Sequence, residues 1–150
     1  MDEQQGSLVL ELELAVAAPR GQVFRLLTDP DVLVKWWGPE GFTTPEASLD
    51  PRPGGSYRLT MQPPDGEAFH LAGEFVDVDP PRHLEYTFRW EEPVPDDRET
   101  VVSLSLEPVD GGTQVVLTQR GFATEERLEL HRNGWTESFR KLAAVLRAAT

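Results

Sequence analysis

Leu84-Glu85-Tyr86-Thr87-Phe88-Arg89-Trp90 alternates large apolar residues with polar ones, the period-two pattern of a strand with one face buried and the other wet. Its flanks are turn chemistry: Asp79-Pro80-Pro81 before it, and a proline- and acid-rich run from Glu91 to Asp97 after it. The same pattern recurs outward in both directions. Toward the C-terminus Val102, Leu104 and Leu106 alternate, Asp110-Gly111-Gly112 turns the chain, and Val115 and Leu117 follow. Toward the N-terminus Pro63-Pro64-Asp65-Gly66 introduces a run from Glu67 to Val78, and Pro53-Gly54-Gly55 introduces Tyr57, Leu59 and Met61. A less regular strand falls between Phe42 and Leu49, and Leu8, Leu10, Leu12, Leu14 and Val16 mark the first. Short alternating runs joined by turns predict an antiparallel meander of about seven strands.

Helical patterning appears in two places. After strand one, Pro19 suits a first helical turn and Val23, Phe24, Leu26 and Leu27 form one apolar face that ends at Asp29-Pro30. A short second helix is expected from Asp31 to about Trp36, stopped by Gly38-Pro39. From about Thr124 to Ala148, Leu128, His131, Trp135, Phe139, Leu142 and Leu146 share one face of a long amphipathic helix. The fold class is therefore α+β: a curved antiparallel sheet gripping a long C-terminal helix, with two short helices after strand one. Residues 1–150 are expected to form one domain. A curved sheet around a helix encloses space that side chains need not fill, so the architecture points to a pocket.

The totals exclude several classes of function. There are no cysteines, which rules out structural disulfides, thiolate metal sites and cysteine nucleophiles. His70, His83 and His131 show no metal-pair spacing on one element, and no phosphate-cradling glycine loop or nucleophile elbow is present. No metal and no cofactor are expected. The net charge of -12, with twelve arginines and two lysines scattered along the chain, argues against nucleic acid. No stretch reads as a membrane span, and the acidic start Met1-Asp2-Glu3-Gln4-Gln5 is unlike a signal peptide; a soluble cytoplasmic protein without membrane insertion is expected.

Trp36 and Trp37 are adjacent and cannot both face one side of a short helix, so one ring is expected at a cavity rim, with Gly38-Pro39 allowing the next segment to move. Gly134 inside the last helix needs a close neighbour to offset its cost. Aromatic and methionine side chains on the interior face suit adaptable contact with a hydrophobic ligand. The expected ligand-lining residues are Trp37, Phe42, Tyr57, Met61, Phe69, Tyr86, Phe88, His131, Trp135 and Phe139. No catalytic residue is assigned.

An ordered set of short motifs runs the length of the chain: Ala18-Pro19 with Val23-Phe24, Leu27-Thr28-Asp29-Pro30, Trp36-Trp37-Gly38-Pro39, and Asp50-Pro51-Arg52-Pro53-Gly54-Gly55. Asp65-Gly66, Gly73-Glu74, Pro80-Pro81-Arg82 with Leu84, Gly112-Thr113, Gly121-Phe122 and Gly134-Trp135 follow. In this the chain resembles the START-like helix-grip (SRPBCC) superfamily, in the branch similar to the C-terminal domain of the heat-shock-protein ATPase activator. The resemblance implies a deep, mainly apolar cavity between sheet and C-terminal helix. Superfamily members bind lipids, sterols, plant hormones or polyketides, and some are cyclases or aromatases. The leading expectation is binding of a small hydrophobic or amphipathic molecule without catalysis. Two alternatives are a cyclase-, aromatase- or hydrolase-type enzyme using His131, Tyr57 or Tyr86 as acid or base, and a chaperone-associated interaction module. A homodimer is kept open as a partner.

Overall fold

The computed structural model describes residues 8–93, 95 and 97–149. Met1 to Gln5, and positions 94 and 96 of the loop expected between Glu91 and Asp97, lie outside the described residues. The elements are β1 (Val9–Val16), α1 (Arg20–Thr28), α2 (Pro30–Leu33), β2 (Thr43–Leu49), β3 (Ser56–Gln62), β4 (Phe69–Asp79), β5 (His83–Trp90), β6 (Thr100–Val109), β7 (Gly112–Arg120) and α3 (Glu125–Ala149). The strands form one antiparallel open sheet in the order β1-β7-β6-β5-β4-β3-β2. Five neighbouring pairs follow chain order, as a meander must, and β1 closes against β7 with Leu12 opposite Leu117. The fold class is the α+β arrangement expected from the sequence.

Alternation sets which side chains enter the core. Leu84, Tyr86 and Phe88 of β5, Val102, Leu104 and Leu106 of β6, and Val115 and Leu117 of β7 are buried on one face. Leu128, Trp135, Phe139, Leu142 and Leu146 of α3 are buried against it. At about 25 cal/mol per Å² of apolar surface removed from water, this interleaved stripe supplies most of what holds α3 in place. A buried polar chain sets its rotation: the Trp135 indole N–H donates to Gln119 Oε1 at 2.8 Å, and Gln119 Nε2 donates to Thr100 Oγ1 at 2.8 Å, joining α3 to β7 and β6.

Some boundaries differ from the sequence reading. Pro19 is the N-cap of α1, in extended conformation, with its carbonyl accepting from Gln22 and Val23. The second helix is only Pro30–Leu33, capped by Asp29 Oδ1 accepting from the Asp31 amide at 3.0 Å. Beyond it the chain tightens into turns, Lys35 N donating to Val32 O and Trp36 N to Leu33 O, with Trp37 N also donating to Leu33 O. β4 carries a register shift between Phe75 and Asp77. Gly73 just before it is sterically required, because a Cβ there would stand 2.0 Å from Thr87 O and 2.7 Å from Tyr57 Cε1.

Candidate functional site: an aromatic cavity under the last helix

Of the adjacent pair Trp36 and Trp37, only Trp37 lines the cavity. Trp36 is fully buried, its indole N–H donating to Leu26 O at 2.8 Å, and serves the core between α1 and the sheet. Trp37 packs on the Trp36 ring, 5.4 Å between centroids, and forms one wall of a cavity of about 610 Å³. The remaining walls come from Met61 on β3, Phe69 on β4, Phe88 and Trp90 on β5, and from α3, whose Arg127, Leu130, His131, Gly134, Trp135 and Ser138 line it at helical spacing. Phe42 and Pro39 close it from the loop between α2 and β2.

The rings touch in sequence around this space. Trp37 meets Trp135 edge-on at 5.2 Å between centroids, and Trp135 lies 6.5 Å from Phe88. Phe88 meets Trp90 at 5.2 Å, Trp90 meets Phe69 at 5.2 Å, and Phe69 meets Phe42 at 6.0 Å. Six rings thus form a circuit that starts and ends in the one loop holding Trp37 and Phe42. Edge-to-face contacts of this kind add about 0.5–1.5 kcal/mol each beyond area burial, so the wall is firm even though the space is open.

The loop is tied to α3. Glu137 Oε1 accepts from the Glu40 amide at 2.9 Å, and Lys141 Nζ donates toward the carbonyls of Trp37, Pro39 and Phe42, each at 3.4 Å. Burial lowers the Lys141 pKa below its ordinary value, with Glu40 and Glu137 acting in the opposite direction. Gly134 faces this loop: a Cβ there would meet only Pro39 Cγ, at 3.7 Å. The close neighbour expected at Gly134 is therefore not there, and the loop stands at ordinary contact distance.

At the other end stands a more polar corner. Arg127 pairs with Asp97, both largely buried, and its Nε is buried without a hydrogen-bond partner. His131 Nδ1 lies 2.8 Å from Arg127 O; as that carbonyl only accepts, the proton is on Nδ1, and Nε2 presents a lone pair. The ring sits among Phe88, Trp90 and Phe122, and burial pushes its pKa down, which favours the neutral imidazole.

Of the ten residues expected to line the site, Trp37, Phe42, Met61, Phe69, Phe88, His131 and Trp135 line this cavity. Tyr57, Tyr86 and Phe139 do not. The two tyrosines face the correct side of the sheet but sit further along it, beside Leu27, Leu33, Leu59 and Phe75, where only about 20 Å³ is left unfilled. Tyr57 donates its hydroxyl to Thr87 O at 2.5 Å, and burial pushes both phenols well above their ordinary pKa. Neither can exchange a proton with an occupant of the cavity. Phe139 packs on Trp135 within the core, 5.9 Å between centroids. Trp90, which shares the β5 strand face with Phe88, lines the cavity as well, and its place at the outer end of that alternation is the signal for it. Glu92, Asp97 and Arg127 carried none, because loop and helix are brought together only by the tertiary fold.

His70, Glu91 and Glu92 have ligand atoms within 4.8 Å of one another, a cluster invisible to spacing on one element. Glu92 accepts from His70 at 2.7 Å and Glu91 takes both Arg58 contacts, at 2.8 and 2.9 Å, so these carboxylates are engaged in an exposed ion-pair network.

Residues 17–147 match the family described as Activator of Hsp90 ATPase homolog 1-like protein. The chain belongs to the AHSA1 family. A crystal structure of an AHSA1 protein from Silicibacter pomeroyi is 32% identical and superposes with a TM-score of 0.84, covering 95% of this chain and 99% of that one. A Rhodobacter sphaeroides protein is 29% identical with a TM-score of 0.82 and 97% of each chain covered. A Chromobacterium violaceum protein is 26% identical with a TM-score of 0.82, over 91% of this chain and 95% of that one. No curated protein matches the sequence. This AHSA1 chain thus has the START-like helix-grip fold that its motifs resemble. No helix among the described residues is long and apolar enough to cross a membrane.

Proposed function

We propose that this AHSA1 chain binds a small, mainly apolar molecule in the cavity between β3–β5 and α3. The observation that carries the reading is the ring circuit: six aromatic side chains surround about 610 Å³ without filling it. Ligand sites of about 300–1,000 Å³ with apolar walls and a few polar groups are the common form of small-molecule pockets. An enzymatic reading has less support. Of His131, Tyr57 and Tyr86, only His131 reaches the cavity, and its Nδ1 is bonded to a backbone carbonyl in place of a carboxylate that would orient it as a base. The family description names an Hsp90 ATPase activator, which favours a chaperone partner as a second reading. The exposed large aliphatics outside the cavity, Val9, Val76 and Val109, stand on three different strands, which does not favour one apolar docking face.

A neutral fluorescent hydrophobe such as N-phenylnaphthylamine should gain emission on binding and quench tryptophan fluorescence. Gly134→Leu, which projects a side chain into the space, should weaken binding at least tenfold while the circular dichroism spectrum stays native. Equal binding by the wild type and by Gly134→Leu places the probe elsewhere and ends the proposal.

A further inference from the structure

We infer that the occupant of the aromatic cavity is a cation: a small amine, protonated or quaternary, whose apolar body lies among the rings and whose charged head lies beside one of the lining carboxylates, Glu92 or Glu137. This rests on the binding reading above and adds to it the sign of the ligand's charge. The aromatic wall supplies the first argument. Ring faces carry negative potential, indole most of all, and three of the six rings in the circuit are tryptophans. An anion placed among them is repelled; an ammonium is attracted.

The polar groups on the wall point the same way. His131 in its neutral form has an acceptor Nε2, because its proton is given to Arg127 O. The Trp135 N–H is already given to Gln119. Glu137 has an oxygen beyond the one bonded to the Glu40 amide, and Glu92, whose two oxygens are bonded to the His70 amide and ring, keeps its negative charge on the wall. The nearby cations are not available to an anionic ligand. Arg127 is ion-paired with Asp97 and its Nε is sealed from solvent. Lys141 does not line the cavity and holds its ammonium against three loop carbonyls. Among the described lining residues three carboxylates face one guanidinium, and the chain's net charge of -12 adds a long-range field that draws cations inward.

The test uses three probes with one hydrophobe: naphthylmethyl-trimethylammonium, naphthylmethanol and naphthylacetate, titrated by calorimetry and tryptophan quenching. The cation should bind about tenfold more tightly than the alcohol, and the alcohol more tightly than the anion. The alcohol should displace the cation, which separates cavity binding from adsorption to an acidic surface. Glu92→Gln with Glu137→Gln should reduce the cation's advantage over the alcohol several-fold, and the advantage should persist in part at high salt through the ring contacts. If the anion binds as well as the cation, or the alcohol fails to displace the cation, the charge assignment is wrong while the cavity-binding reading stands. If none of the three binds, both are wrong.

Discussion

Gly134 shows how a single residue couples stability to the site. A glycine in a helix interior costs about 1 kcal/mol relative to alanine, and the added methyl would meet Pro39 Cγ at an ordinary 3.7 Å. Gly134→Ala should therefore raise the Tm by about 2–4 °C in a thermal melt, a gain expected for a chain of this size. A lower Tm would show that loop and helix are too tightly packed for a methyl. His131 makes a pH-dependent contribution of opposite sense to that of a salt-bridged histidine. Burial lowers its pKa in the fold, more than the bond to Arg127 O raises it, so below the unfolded value of about 6.5 the unfolded chain binds the proton first. Its effect is absent above that pH and destabilises the fold progressively as pH falls toward the folded pKa. Urea midpoints compared at pH 8 and pH 5 should fall less for His131→Gln than for the wild type; parallel losses would contradict the assignment.

The elements were legible where one period ruled them. The α3 stripe from Leu128 to Leu146 needs only the 3.6-residue repeat, and it is buried as that repeat requires, with Thr124 Oγ1 capping the Arg127 amide at 3.1 Å. Strand alternation likewise gave the interior face of β5. Alternation reports a face but not a depth, which is why Tyr86 and Phe88, two residues apart on the same face, have different fates: Tyr86 is packed against Phe75 and Phe88 borders open space. β2 was hard to read because it is an edge strand with Pro45 inside it, free of the need to bury both ladders. The fixing of the loop between α2 and β2 was not readable at all, since Lys141 lies about a hundred residues from the carbonyls it holds. Lys141→Met should speed amide hydrogen exchange at positions 38–42 and leave the protection of α3 and β5 unchanged. Unchanged exchange in the loop would show that Glu137 and the ring contacts alone hold it.

At the scale of the whole molecule, the meander and the closing helix follow from the order of patterns along the chain, and the family match over residues 17–147 agrees with them. Which part of the interior stays empty depends on how far α3 and the loop stand off β3–β5, a distance no local pattern encodes. The strand order also sets a schedule for synthesis. β1 leaves the ribosome first, yet its one neighbour in the sheet is β7, so Leu12 waits for Leu117 while about a hundred residues are added. At 5–20 residues per second that is on the order of ten seconds. Throughout this interval Leu10, Leu12 and Leu14 are an unpaired apolar ribbon on a nascent chain, able to meet the strands of a neighbouring polysome product. A ribosome-bound chain stalled with residues only up to Asp110 exposed should be cut by protease within β1, and one with residues through Arg120 exposed should resist. The glutamates at 11 and 13, facing outward on that ribbon, are then placed where charge keeps half-made copies apart before the sheet exists to do so.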